Sequence, residues 1–270
     1  MKNSINVTDL QEISQTLLVT AYFRSLETKR QDGIIKDYKS VEIVERINYD
    51  FSQHDSSINQ ALIAIRTEII DEFVRNFIEQ YHQVTIVNLG TGLCTRFFRV
   101  DNGLIRWVGI DLHKVKPIWS SLIDETERHK YYAYSVLDLE WIKQVKETTS
   151  GKLLFIAEGL LMFFSETEVK YLIQNIRDNF ADSEMIFDSL GVLLAQNSRL
   201  NSGELEIDAS YKWGIKNLRE IEKWGKKIQL VNQWYCLDRH KNRLGWLGWL
   251  SYIPILRRQV KIGHLRFSPR

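Results

Sequence analysis

Cysteine is scarce in this chain: Cys94 and Cys236 are the only two among 270 residues. They stand far apart and match neither a zinc-ligand spacing nor a CxxC motif, which excludes a disulfide framework and a zinc knuckle and points to a reduced, cytoplasmic setting. Proline is scarcer than usual, with three residues, and no Pro-rich or Gly/Ser-rich stretch offers a linker. Charge of one sign is lacking too: 36 basic and 34 acidic residues leave a net +2, so nothing suggests bulk attraction to nucleic acid. No apolar run reaches the ~18 residues that a membrane span needs. The nearest, residues 244–256, is broken by Gly245, Gly248 and Pro254. The opening MKNSINVTDLQEI has no apolar core and does not read as a signal peptide.

What remains is ordinary globular composition, 44% hydrophobic and 26% charged, in a chain long enough for a sizeable core. Residues 10–30 read as helix. Over 58–81, Ala61, Ile65, Ile69, Phe73, Phe77 and Tyr81 recur every fourth residue and share one helical face. Short β-rich runs follow at 84–89, 106–111, 131–136, 152–157 and 184–188. Helical patterns separate them at 113–123, 139–148 and 165–180. Ser165 and Glu168 form the spacing of a capping box. Strand-helix alternation with near-continuous apolar strands predicts a parallel sheet covered on both faces. Residues 190–225 break the rhythm and read as an inserted helical cap. Residues 227–235 and 259–267 read as late strands with an antiparallel return.

Four strand ends carry residues suited to chemistry. Asn88-Leu-Gly-Thr-Gly-Leu-Cys-Thr-Arg96 follows the first strand. Gly90 and Gly92 permit a sharp turn and close approach by a ligand, although the third glycine of the usual dinucleotide fingerprint is missing. Asp111 ends the second strand, about 20 residues on, where an acid can accept both hydroxyls of a ribose; capping the next helix is the alternative. Asp138 and Leu139 follow the third strand, placed either to meet an adenine ring or simply to start a helix. Glu158 follows the fourth strand beside Gly159. It suits a ligand ammonium or an ion pair with an arginine, and the two are compatible. Arg66 on the long helix and Arg24 on the one before it are the cations that a ligand carboxylate needs.

Asn88–Arg96, Val108-Gly-Ile-Asp-Leu112 and Phe155-Ile-Ala-Glu-Gly-Leu-Leu-Met-Phe163 together resemble successive motifs of the leucine carboxyl methyltransferase family. Residues 16–30, Val100-Asp-Asn-Gly103 and the overall length are more similar to its bacterial branch, the tetracenomycin polyketide synthesis O-methyltransferase type. The likeness covers residues 12–190 well and the C-terminal third weakly. It implies a class I methyltransferase, Rossmann-like α/β fold with a doubly wound, mostly parallel sheet, N-terminal helices and an inserted cap. It implies S-adenosylmethionine as methyl donor and S-adenosylhomocysteine as product. Carried over by position, Arg24 and Arg66 hold the donor's carboxylate, Gly90 lies under its methionine portion, Asp111 binds the ribose, Asp138 and Leu139 the adenine, and Glu158 the amino group. Many members carry an acid where this chain has Cys94. The expected layout is one methyltransferase domain: an N-terminal helical region to 83, a donor-binding core over 84–189, the cap over 190–225 and C-terminal strands from 226.

A carboxylate acceptor is ionised at neutral pH and needs no general base, whereas a phenol or alcohol does. No histidine stands at an obvious strand end, His113 being better explained as a helix start. No catalytic residue is therefore assigned and no metal is expected. Phe163, Phe164, Tyr211 and Trp213, with Trp224, are the acceptor-pocket candidates, suited to a small polyketide-like or aromatic acid. Trp246 and Trp249 are expected to pack against the sheet, with a lipid surface or a partner as the alternative. Competing readings are a hydroxyl O-methyltransferase, a protein C-terminal carboxyl methyltransferase, another reaction at the sulfonium, and a non-catalytic binding module. The last fits poorly with retention of Arg24, Arg66, Asp111 and Glu158 together.

Overall fold

The computed structural model describes residues 5–6, 15–54, 56–196 and 211–269. The apolar runs become seven strands of one sheet: β1 Val84–Leu89, β2 Arg106–Asp111, β3 His129–Ala133, β4 Lys152–Ala157, β5 Ser183–Leu190, β6 Ile228–Tyr235 and β7 Val260–Phe267. Their order is β3-β2-β1-β4-β5-β7-β6. The first five are parallel; β7 runs antiparallel between β5 and β6. Every residue of β1 and β5 is buried, polar Asn88 and Asp188 included, which is why the middles of these runs, Ile86-Val87 and Met185-Ile-Phe187, read as apolar without alternation.

Eight helices matter here: α1 Gln15–Lys29, α2 Tyr38–Arg46, α3 Ser57–Tyr81, α4 Arg96–Val100, α5 Lys116–Leu122, α6 Glu140–Thr148, α7 Glu166–Asn179 and α8 Val192–Gln196. Alternate residues of β1 face opposite layers, as strand geometry requires. Val87 and Leu89 join Trp141 of α6 and Leu172, Ile173 and Ile176 of α7 in one core. Ile86 joins Ile65, Ile69 and Val74 of α3 and Phe97 of α4 in the other. Ser165 and Glu168 complete the capping box reciprocally. A third cluster packs Leu18 of α1 and Ile43 of α2 against Ile118, Trp119 and Leu122 of α5, so the N-terminal helices lie beside the sheet. Among the described residues no helix is long and apolar enough to cross a membrane.

The structure departs from the sequence reading in four places. The third strand lies at 129–133, not 131–136. Its parallel register with β2 runs from Trp107↔His129 to Asp111↔Ala133, and β2 offers no partner beyond Asp111. Residues 134–136 therefore leave the sheet. The helix over 10–30 is described as Gln15–Lys29, residues 10–14 lying outside the described set. The expected helical cap over 190–225 takes another form where it is described. Val192–Gln196 is one short helix, and the 3-10 segment Leu218–Trp224 buries Leu218 and Ile221 against the α7 layer. Residues 197–210 lie outside the described set. Finally, Trp246 and Trp249 do not pack on the sheet; they are 66% and 75% exposed.

His129 at the head of β3 is 2% exposed. It stacks on Phe97 at 4.4 Å and meets Trp119 edge-on at 5.4 Å. Its Nδ1 has no hydrogen-bond partner. Burial pushes its pKa down to about 4, only partly opposed by the charge of Asp101. The unfolded chain takes up this proton near the ordinary pH 6.5, the folded chain only near 4. Stability therefore falls as pH drops from 6.5 to 4 and levels off below, this residue accounting for ~3 kcal/mol at most. Urea titrations of wild type and His129→Phe across that window should show a shallower pH slope in the variant. Equal slopes would mean that His129 is protonated as readily in the fold as outside it.

Candidate active site

The carboxyl ends of β1, β2 and β4 open onto one cavity of ≈440 Å³, the edge at which open α/β sheets bind ligands. The turn after β1 forms its floor. Gly90 adopts φ +64°, and a Cβ there would stand 2.7 Å from the Leu160 side chain, so both backbone shape and space demand glycine. The amides of Gly90 and Thr91 donate to the Ile110 carbonyl at 2.8 and 3.1 Å, which ties the turn to β2. Asp111 completes the tie. Its Oδ2 accepts from the Gly92 amide at 2.7 Å and its Oδ1 from the Leu112 amide at 2.8 Å. The helix-cap alternative falls, because the 3-10 turn that follows has no side-chain cap. Burial raises the Asp111 pKa and outweighs both amides.

Glu158 lines the same cavity directly after β4, within a chain of alternating charges. Arg66 Nε donates to its Oε1 at 2.9 Å and Arg96 Nη2 to its Oε2 at 2.6 Å. Arg66 Nη1 also reaches Asp188 Oδ2 at 2.9 Å, and the Gly159 amide holds Asp188 Oδ1 at 2.7 Å. In the other direction Arg96 Nε meets Asp71 at 2.5 Å, and Arg99 bridges Asp71 and Asp37 at 2.6 Å each. Arg24 Nε closes the chain on Asp37 at 3.1 Å while its Nη2 donates to the Leu93 carbonyl. Burial alone would raise the Glu158 pKa, but Arg96 and Arg66 hold it well below the carboxylate range. At Asp37, Arg99 and Arg24 likewise outweigh burial and bring the pKa to about 2. Asp188, fully buried with one arginine and repelled by Glu158, is pushed up instead.

Arg24, Arg66, Gly90, Asp111 and Glu158 thus meet around one cavity, as their order in the sequence predicts. Phe163, Phe164 and Tyr211 line it as well, with Met162. Three candidates do not. Asp138 is exposed and accepts from the Glu140 amide at 3.2 Å, a helix-start contact. Leu139 packs against the α6–α7 core, and Trp213 is buried in that same core near Trp224. Residues 134–136, freed by the early end of β3, line the wall instead. Sequence reasoning missed Asp37, Asp71, Arg96, Arg99 and Asp188. Asp188 bears the signal that marked Glu158, an acid near the end of an apolar strand. Arg96 and Arg99, three apart directly after the glycine turn, share one face of α4.

A model of the leucine carboxyl methyltransferase family matches residues 16–177. The chain belongs to this family. The tetracenomycin polyketide synthesis O-methyltransferase of Streptomyces glaucescens is 24% identical over 231 residues, covering 85% of each chain. An S-adenosyl-L-methionine-dependent methyltransferase of Gibberella zeae is 26% identical over 272 residues, covering 93% of this chain and 90% of its own. Among solved structures, a duf574 family protein from Streptomyces avermitilis superimposes with a TM-score of 0.63 at 12% identity, covering 97% of this chain and all of its own. The fold is that of class I methyltransferases, and the chain is an S-adenosylmethionine-dependent methyltransferase. The cavity fits that donor: its volume suits a ligand of this size, the turn admits close approach only because Gly90 has no side chain, and a cation and an acid, Arg66 and Glu158, stand side by side in its lining.

Arg96 is fully buried between two acids. Arg96→Met leaves the network one positive charge short, and removing one partner of a buried pair costs about 3–5 kcal/mol. Arg96→Met/Glu158→Gln restores the balance and should recover part of that loss in urea denaturation. A double variant no more stable than the single one would show that charge balance is not what Arg96 supplies.

Proposed function

We propose that this enzyme methylates a carboxylate oxygen of a small polyketide-like or aromatic acid. The observation that carries the proposal is the character of the cavity walls. Beyond the charged end, Met162, Phe163, Phe164 and Tyr211 present an apolar and aromatic surface. Among the described lining residues there is no histidine, and the two acids, Asp111 and Glu158, are already engaged. Tyr211 is a poor base, because burial raises its pKa. Such walls suit an acceptor that arrives already ionised.

The donor supplies a methyl group activated by its sulfonium, so the protein's task is placement, desolvation and electrostatic fit. Arg24 and Arg66 face the donor's carboxylate. Glu158, kept anionic by its arginines, accepts from the amino group. Gly90 lets the methionine portion lie against backbone. Asp111, already fixed by two amides, accepts from the ribose hydroxyls. The adenine end falls to residues 134–136, with Asp138 and Leu139 just beyond. Phe163, Phe164 and Tyr211 close an apolar acid away from water, which strengthens every charge interaction inside.

Asp111→Ala should weaken S-adenosylmethionine binding with the fold intact. Loss of a hydrogen bond to a charged group costs ~1.5–3 kcal/mol, or roughly 10- to 150-fold in affinity. Calorimetry that gives wild-type affinity, with unchanged circular dichroism, would remove Asp111 from the ribose site.

The acceptor class has its own test. A carboxylate with a pKa near ~4 is ionised throughout neutral pH, so its ionisation leaves the rate flat from about pH 6 to 8. A phenol near pKa ~10 gives a rate that rises with pH when no base activates it. Aromatic and polyketide acids, screened beside their phenol and amide analogues with labelled donor, should yield base-labile esters. Base-stable ethers alone would overturn the carboxylate assignment and leave the methyltransferase intact.

A further inference from the structure

The connection from β6 to β7 is unlike the rest of the surface. Trp246, Trp249, Tyr252, Ile253 and Ile255 stand between 46% and 75% exposed within ten residues of chain. Lack of apolar anchorage does not explain this. Leu244 is fully buried, and Leu247 and Leu250 pack against the core beneath α3. The segment therefore turns its leucines in and its aromatic residues out, in alternation. Gly248 permits this close seating, since a Cβ there would stand 2.5 Å from the Lys241 carbonyl oxygen.

The patch is also basic. No Asp or Glu occurs between Arg239 and Val260. Arg239 and His240 pair with Glu68, Arg243 with Glu27 and Arg257 with Asp238. Those bridges fasten the segment to α1, α3 and the end of β6. Lys241 and Arg258 stay exposed, Lys241 with its Nζ 4.2 Å from the centre of the Tyr252 ring. Tryptophan and tyrosine favour the membrane–water interface, and apolar side chains beside cations are the composition of surfaces that lie on anionic lipid. A self-paired contact fits less well, because a two-fold axis sets a segment with no acid of its own against a copy carrying the same cations.

The patch stands at the edge of the sheet that carries the cavity. Val260, where β7 begins, is opposite Leu190, the last residue of β5, and β5 runs parallel to β1 and β4. We propose that residues 241–258 dock this edge of the enzyme onto an anionic lipid surface, Trp246, Trp249, Tyr252, Ile253 and Ile255 entering the headgroup layer while Lys241 and Arg258 meet lipid phosphates. The protein lies on the membrane without spanning it.

Flotation of the full chain with phosphatidylcholine vesicles, with and without phosphatidylglycerol, tests this. Binding is expected with phosphatidylglycerol present, weakening as salt rises. Trp246→Ser/Trp249→Ser should reduce it roughly tenfold or more, and Lys241→Glu/Arg258→Glu should remove the preference for anionic lipid. Both variants should keep the wild-type melting temperature and donor affinity, which separates this result from any fault in the methyl-transfer site. Failure of the wild type to float with either vesicle, or equal flotation of the tryptophan variant, overturns the proposal. So does a dimer, seen by light scattering, that the tryptophan variant converts to monomer, since a second copy of the chain would then be the occupant.

Discussion

The structure hangs on a buried alternation of four arginines and four acids: Arg24, Asp37, Arg99, Asp71, Arg96, Glu158, Arg66 and Asp188. Each charge withdrawn from water carries a large desolvation cost, which is offset only where geometry and partners are right. The members come from six places: α1, the start of α2, α3, α4 and the ends of β4 and β5. None of these can shift without stranding a charge. The helices that precede the sheet are thereby fixed to its carboxyl edge. Apolar packing of Leu18 and Ile43 on α5 supplies attraction, but it is non-directional; the ionic chain supplies the register.

Balance within that chain also accounts for Cys94. Its Sγ lies 3.7 Å from Arg96 Nη1, where the family resemblance leads one to expect an acid. The four cations here already meet four anions. A fifth acid beside Arg96 would leave a buried negative excess, whereas a neutral thiol fills the position at no electrostatic cost. Asp37 gains hydroxyl donors as well, Ser40 Oγ and Thr95 Oγ1 at 2.5 Å each, so the most heavily shared acid is also the best solvated by protein.

The sheet was legible because burial on both faces makes a strand continuously apolar, and the glycine turn and terminal acids marked where the strands stop. Glu158 and Asp111 could be read because each ends such a run. Asp37 and Asp71 could not: at a helix start or on a helix a buried acid looks like any surface acid until its partners are known, and the Arg99 they share is 62 and 28 residues away. The late boundary assigned to β3 has a similar cause. Tyr134 and Val136 are as β-prone as the strand itself, and only the length of the neighbouring β2 decides that they leave it. Trp246 and Trp249 were misjudged because tryptophan is usually buried, and burial of the intervening leucines was needed to show which side faces out.

The electrostatics of the site follow from the same network. Glu158 touches two arginines and is held far down in pKa; Asp188 touches one and is pushed up. Arg66 lies between them, sharing one side chain with both. A ligand that brought a lone anion to this wall would unbalance a neutral buried system, and a lone cation would do the same with opposite sign. A ligand end that carries an ammonium and a carboxylate together changes nothing in the total. It needs only a cation and an anion side by side, and Arg66 and Glu158 are joined at 2.9 Å. The amino-acid end proposed for the donor has that character. The arginines that hold the N-terminal helices in place are thus also what leaves the cavity wall neutral overall and strongly dipolar locally.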